Sequence, residues 1–142
     1  MADASPDEWL AIQRLFIRYA TCLDHGDVAG VVACFTGDCA LESPVLGTFA
    51  GHAGIRDFAG RTARLLHERH VQFRHVVSNL VADVEGDVAT ARCYLLDFRT
   101  RDGRTDLLSP GEYVCDLRRE EGQWRFARRV VMMDRAFDAH DL

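Results

Sequence analysis

The stretch VQFRHVVSNLVADVEGDVATARCYLLDFR, residues 71–99, decides the fold class of this chain. It holds two long runs rich in valine, leucine and aromatic residues, separated by the turn Glu85-Gly86-Asp87. Apolar runs on either side of a short glycine turn are typical of a β-hairpin. Two more such runs follow after similar turns. The sequence therefore predicts four long strands in an antiparallel meander, at residues 71–84, 88–99, 107–119 and 123–133.

Three helices are predicted before this meander. The first begins at Ser5-Pro6-Asp7-Glu8, a capping box with proline at the first helical position, and ends near His25-Gly26-Asp27. The others are predicted over residues 28–35 and 53–68, with a small hairpin at 39–49 between them. Helices that precede the main sheet indicate an α+β fold.

Length and composition predict one domain over residues 1–142, with its core at about 6–136 and a loose tail from Phe137 to Leu142. The net charge is −5 and no Lys/Arg cluster interrupts it, which argues against a nucleic-acid or membrane partner. No apolar run approaches the ~20 residues that cross a bilayer. The five cysteines show no CxxC spacing and the N-terminus lacks a signal-peptide pattern, so reduced thiols and a cytoplasmic location are expected.

No metal or cofactor is expected. The chain has neither an HxH nor an HExxH motif, and His25, His52, His67 and His140 are interpreted as surface residues.

Asp24 and His75 are the strongest candidates for catalytic residues. Asp24 lies at the edge of the buried stripe of the first helix, and His75 lies inside the first long strand. A carboxylate that meets an imidazole orients the ring and tunes it as a general base. The alternative is structural: Asp24 caps a helix or pairs with an arginine, and His75 is a hydrogen-bonded core histidine. His70 competes with His75 for the histidine position, but it sits at the helix-to-strand junction.

Side-chain alternation along the first long strand places Phe73, His75, Val77, Asn79 and Val81 on one face, opposite Val76, Leu80 and Val84. Both faces carry apolar residues, which is unusual for a sheet with one side in water. Helices on one face and a second subunit on the other would explain this pattern, so a homodimer is expected.

The ordered motifs along residues 12–129 resemble the SnoaL-like group of the nuclear transport factor two-like superfamily. They are Y-x4-D-x-G-D, F-x2-D, G-x2-G-I, R-H-V-V-S-N, G-D-x-A-x-A and G-x-Y-x-C-D-L-x-R-x2-G-x-W-x-F-x-R. The resemblance implies a cone-shaped α+β barrel, in which three N-terminal helices pack on a curved antiparallel sheet that encloses an apolar pocket.

The resemblance also implies site residues. Asp24 and His75 would form a catalytic dyad, in which Asp24 orients the ring and His75 takes a proton from substrate carbon. Tyr19 and Tyr113 would donate hydrogen bonds to a carbonyl or enolate oxygen. The implied set is catalytic Asp24, His75 and Tyr19, with substrate-binding Asn79, Tyr113, Tyr94, Phe73 and Phe58.

The function so predicted is a cofactor-independent lyase or isomerase of dehydratase or cyclase type, acting on a small hydrophobic cyclic or polyketide-like molecule. One alternative is a noncatalytic small-molecule-binding protein or an oxygenase-associated subunit of the same fold. Another is an epoxide hydrolase with an Asp-Arg-Asp set, for which Asp97 and Arg92 are the candidates. Fold resemblance alone does not choose among them.

Overall fold

The computed structural model describes residues 1–139 and Leu142, so the expectation for His140 lies outside the described residues. It has the predicted α+β architecture, with three helices packed on a curved, open sheet. The helices are α1 Pro6–Asp24, α2 Val28–Ala33 and α3 Gly51–Glu68; the strands are β1 Ala2–Asp3, β2 Phe35–Ser43, β3 Gly47–Ala50, β4 Gln72–Glu85, β5 Val88–Arg101, β6 Arg104–Glu120 and β7 Gln123–Met133.

The four long strands β4 to β7 form the predicted antiparallel meander at the centre of the sheet. The full strand order is β1-β4-β5-β6-β7-β2-β3. Strand β2 joins β7 in parallel, and β3 folds back on β2 as an antiparallel edge. The second helix is shorter than predicted, because Phe35 already belongs to β2.

Helix α1 places Asp24 against the sheet. Ser5 accepts a hydrogen bond from the Glu8 backbone N–H at 3.3 Å, as the capping pattern predicts. The apolar residues that recur every three or four positions along the helix are buried against the sheet and α2, and Asp24 is the last residue of that buried face. The carboxylate therefore arrives in the interior at the point where the helix ends.

A bulge in β4 changes which side chains point inward. The pairing with β5 shifts between Ser78 and Val81, and Asn79 adopts a left-handed φ of 57°. Inserting one residue reverses the alternation. The predicted face is therefore wrong beyond Ser78: Asn79 and Val81 are exposed, whereas Leu80 belongs to the core.

The C-terminal residues that the structure describes pack against the domain, contrary to the expected loose tail. Leu142 is buried with Val71, Phe73 and Leu108, and Phe137 packs against the same cluster. The Leu142 carbonyl accepts a hydrogen bond from the Arg69 guanidinium at 3.2 Å. Within residues 1–139 and Leu142, no helix has the length and apolar character needed to span a membrane.

Candidate functional site

Asp24 and His75 are in direct contact, and both oxygens of the carboxylate are used. The Nδ1 atom of His75 lies 2.5 Å from one oxygen of Asp24, and the backbone N–H of His75 donates to the other at 2.8 Å. Since Asp24 can only accept, Nδ1 carries the proton and Nε2 is the free position of the neutral ring. The carboxylate thus fixes both the tautomer and the orientation of the imidazole.

His70 makes no such contact. It is exposed at the junction between α3 and β4, where its φ is 51°. Of the two histidines considered from sequence, His75 is the one that meets Asp24.

A second carboxylate, that of Asp97, lies on the other side of the imidazole. Asp97 is the residue of β5 paired in register with His75 of β4, and its Oδ1 is 3.5 Å from Nε2. That oxygen is buried and has no hydrogen-bond partner in the described part of the chain. The ring of His75 is therefore held between two carboxylates, one in tight contact and one just beyond hydrogen-bond distance.

The acid–base behaviour of the site follows from burial and from this charge pattern. Burial disfavours the charged imidazolium, but the carboxylates of Asp97 and Asp24 outweigh it and raise the pKa of His75. Burial also raises the pKa of Asp97, although the positive charge of protonated His75 opposes that rise. Both groups therefore hold protons more strongly than they would in water.

His75 and Asp97 open onto a cavity of about 90 Å³. An empty apolar cavity of ~150 Å³ is known to take up benzene, so this cavity suits a ligand no larger than a single ring. Phe137 and Leu142 are among its lining residues. The apolar part of the lining includes Leu23, Phe58, Leu65, Phe73, Leu95 and Val131.

Two buried tyrosines form another part of the lining, and a buried arginine lies behind them. The Tyr19 and Tyr113 rings meet edge to face, with centroids 6.1 Å apart. The guanidinium carbon of Arg129 lies 4.0 Å from the Tyr19 ring centroid and 3.5 Å from that of Tyr113. Burial raises the pKa of Tyr19 to about 12, with the positive charge of Arg129 acting in the opposite direction. Both phenols are therefore neutral donors at physiological pH.

Arg129 is fully buried, and no carboxylate among the described residues forms an ion pair with it. Its Nη1 lies 3.5 Å from Cys115 Sγ, while Nε and Nη2 have no hydrogen-bond partner within residues 1–139 and Leu142. Cation–π contacts with surrounding aromatic rings compensate part of the lost hydration. Because an arginine side chain stays charged, a fixed positive charge sits behind the tyrosine wall of the cavity.

The structure brings together most of the predicted site residues. Tyr19, Phe58, Phe73, His75 and Tyr113 line the cavity, and Asp24 supports His75 from behind.

Two predicted substrate-binding residues lie elsewhere. Asn79 is exposed because the bulge turns it outward, and Tyr94 is 53% exposed on the outer face of β5. Arg92, a candidate for the epoxide hydrolase set, also points outward and pairs with Glu112 at 3.1 Å. The predicted placement of these three residues at the cavity is therefore wrong, and an Asp97–Arg92 pair does not form there.

Sequence reasoning gave too little weight to Asp97 and missed Arg129. Asp97 shares the inward face of β5 with Cys93 and Leu95, so simple alternation was enough to place it in the interior. For Arg129 there was no usable signal. The β6–β7 register shifts between Phe126 and Arg128. Unbroken alternation would turn Arg129 outward, but this shift turns it inward.

No group of three His, Cys, Asp or Glu side chains in the described part of the chain is arranged to hold a metal ion. The site is thus a pair of carboxylates around one imidazole, facing neutral phenols across an apolar cavity.

These features define a class: a small α+β domain whose helices and curved sheet enclose an apolar cavity with buried acid–base groups. The chain belongs to the SnoaL-like domain family, whose model matches residues 7–130. No curated protein matches the sequence.

Three solved structures illustrate the relationship. A single-residue variant of Rv3472, a function-unknown protein of Mycobacterium tuberculosis, is 34% identical over 89% of this chain and 72% of that one, with a TM-score of 0.79. A candidate aromatic ring hydroxylase from Novosphingobium aromaticivorans is 28% identical over 94% and 93% of the two chains, with a TM-score of 0.78. A candidate scytalone dehydratase from the same species shares the fold at 22% identity over 94% and 89%, with a TM-score of 0.79.

Proposed function

We propose that this protein is a cofactor-independent lyase or isomerase that removes a proton from carbon next to a carbonyl group in a small, hydrophobic cyclic molecule. The observation that carries the proposal is the Asp24–His75 contact at the wall of an apolar cavity. A neutral imidazole with its tautomer fixed is a suitable general base near neutral pH.

The reaction begins at Nε2 of His75, which takes the proton from the α-carbon. The negative charge that develops on the carbonyl oxygen faces Tyr19 and Tyr113, which act as hydrogen-bond donors. The fixed charge of Arg129 behind the two rings favours that oxyanion through a low-dielectric environment. Loss of a β-substituent then gives elimination, and return of the proton to a different carbon gives isomerisation.

The apolar lining and the size of the cavity limit the substrate. The cavity of about 90 Å³ is smaller than the ~150 Å³ that takes up benzene, so a single ring is a better match than a larger, polyketide-like ligand. We therefore propose a monocyclic ketone or a similar molecule as the first class to test.

Two probe ketones lead to one easily detected product. Isomerisation of cyclohex-3-en-1-one and dehydration of 3-hydroxycyclohexanone both give the conjugated cyclohex-2-en-1-one, whose enone absorbs in the ultraviolet. His75→Ala should lower the rate with the active probe about 10²–10⁴-fold, the usual contribution of a general base. His67→Ala is the matched control, because His67 is an exposed histidine in the last turn of α3.

The competing function is a noncatalytic carrier of small apolar molecules, which the largely apolar lining of the cavity favours. Saturable binding of cyclohexanone without turnover of either probe would support the carrier over the enzyme, whereas turnover that His75→Ala leaves unchanged would refute His75 as the general base.

We also propose that the outer face of the sheet pairs with a second copy of the chain. Tyr94, Glu112 and Met132 are neighbours in register across β5, β6 and β7, and Tyr94 and Met132 are 53% and 50% exposed. Val76 and Val81 on β4 extend this apolar surface. A stable dimer buries ~800 Å² per subunit. Light scattering after gel filtration should give the dimer mass, and Tyr94→Glu should give the monomer mass; a monomeric wild type would exclude the pairing.

A reducing compartment such as the cytoplasm is proposed from the five cysteines, all of which are free thiols.

A further inference from the structure

Asp97 has a buried oxygen that the Asp24–His75 pair does not explain. The residue is 7% exposed, its Oδ1 has no hydrogen-bond partner among the residues that the structure describes, and it lines the same cavity as His75. A carboxylate in an apolar interior is costly unless it is paired or protonated. A group able to supply a proton, Nε2 of His75, lies 3.5 Å away.

We infer that Asp97 and His75 hold one proton between them, and that Asp97 is a second proton-transferring residue of the site. With the proton on Asp97, the imidazole is a neutral base and the carboxyl group a neutral acid, and no net charge is buried in the pair. This inference rests on the proposed function and extends it from a single base to an acid–base pair. The substrate class that uses both groups is a cyclic β-hydroxy ketone.

The steps balance. Nε2 of His75 takes the α-proton, and the C–H electron pair becomes the new carbon–carbon double bond. The C–O bond at the β-carbon breaks, and the leaving oxygen takes the proton of Asp97 to depart as water. The site is then left with an imidazolium and a carboxylate 3.5 Å apart, and transfer of the proton from Nε2 to Oδ1 restores the starting state.

The other charged and titratable groups around the pair come from four elements. Asp24 of α1 holds the Nδ1 side of the ring and favours the imidazolium, whereas Arg129 of β7 opposes it. Tyr19 of α1 and Tyr113 of β6 stay neutral because burial raises the pKa of each. Arg61 of α3 also lines the cavity but pairs with Asp57 at 2.9 Å. The affinity of the His75–Asp97 pair for its shared proton is therefore set mainly by the carboxylates of Asp24 and Asp97.

A titration by NMR tests proton sharing without any substrate. If the proton is shared, the side-chain ¹⁵N signals of His75 and the carboxyl ¹³C signal of Asp97 move together in one pH interval above ~6.5, the ordinary histidine pKa. Asp97→Asn should shift the His75 transition to lower pH, and Asp116→Asn, an exposed aspartate on β6, should leave it in place. An unchanged His75 transition in Asp97→Asn, or an Asp97 carboxyl that is silent in the His75 interval, would overturn the inference.

Two reactions separate the acid from the base. Exchange of the α-hydrogens of cyclohexanone in D₂O needs only the base, whereas dehydration of 3-hydroxycyclohexanone also needs the acid. Asp97→Asn is expected to lower dehydration about 10²–10⁴-fold while exchange falls less than 10-fold. Equal losses in both reactions would make Asp97 a positioning residue and refute the acid assignment, as would no loss in either.

Failure of the proposed function gives a different result. In that case the wild-type protein exchanges no α-hydrogens, or His75→Ala exchanges them as fast as wild type. Thermal unfolding of Asp97→Asn checks its fold, and the titration of the wild-type carboxyl group remains decisive should this variant fail to fold.

Discussion

Replacing Asp24 by asparagine should destabilise the fold and weaken the proton affinity of His75 at the same time. The aspartate accepts from the ring Nδ1–H at 2.5 Å and from the backbone N–H of His75 at 2.8 Å. Asparagine has one acceptor oxygen, so its amide group must face one of these two N–H donors. One charge-assisted hydrogen bond is lost, worth about 1.5–3 kcal/mol, and a buried donor is left unsatisfied at a similar cost.

The expected loss is about 3 kcal/mol in the free energy of unfolding, since these two costs overlap. For a chain of this size the melting temperature falls by roughly 2–4 °C per kcal/mol, so a decrease of about 6–12 °C is predicted. Asp27→Asn is the control: Asp27 caps α2 through the Gly30 N–H at 2.9 Å, and asparagine caps helices equally well, so its change should stay within ~0.5 kcal/mol.

Urea unfolding at two pH values shows whether the stability difference between wild type and Asp24→Asn grows or shrinks with pH. The folded-state pKa of His75 is raised: burial works against the imidazolium, but Asp97 and Asp24 outweigh it. Its contribution to stability is thus fully present below the unfolded pKa of ~6.5 and is lost as pH rises through the folded pKa. The gap between wild type and Asp24→Asn should be larger at about pH 6 than at about pH 9. A gap below ~0.5 kcal/mol, or one that does not narrow with pH, would refute this account of the contact.

Three further outcomes follow from buried positions. Phe126→Ala should lower the free energy of unfolding by about 3–5 kcal/mol in urea titrations, because Phe126 is fully buried between Phe16 and Tyr19; a loss below ~1 kcal/mol would contradict this packing. A Cβ on Gly111 would lie 2.1 Å from the Met132 carbonyl oxygen, so Gly111→Ala should force β6 and β7 apart and lower the melting temperature, and an unchanged value would contradict that close approach. Burial raises the pKa of Tyr19 to about 12, so Tyr19→Phe should leave the rise in phenolate absorbance between about pH 9 and pH 11 unaltered; a reduced rise would show that Tyr19 ionises early.

The regular part of the fold was predictable because each element carried a local signal. Ser5 and Asp27 cap the two helices that follow them, as their positions in sequence indicate. The turns at Gly86, Gly103 and Gly122 have positive φ and join the four long strands. Such signals depend on neighbours in sequence, and they are legible without knowledge of the tertiary structure.

The site was only partly predictable, because its composition depends on register. The positions of Asp24 and His75 could be found from the end of a helix and the alternation of a strand. Arg129 and Asn79 could not be placed, because shifts in strand pairing at the β6–β7 and β4–β5 ladders reverse the alternation near them. Leu142 packs against residues that are distant in sequence, and such contacts produce no periodic pattern from which its place at the cavity could be predicted.

The bulge in β4 has a consequence for how this strand can change in evolution. N-terminal to the bulge, Phe73 and His75 face the cavity; C-terminal to it, Leu80 and Ala82 belong to the main hydrophobic core between the helices and the sheet. Odd-numbered positions before the bulge line the cavity, and even-numbered positions after it fill the core. A single-residue deletion between Ser78 and Val81 would therefore turn the side chains of one half to the wrong face of the sheet. Point substitutions can then alter the chemistry of one half without repacking the other, whereas a change in length at the bulge would disrupt one of them. The strand can be expected to vary in side chains far more readily than in length.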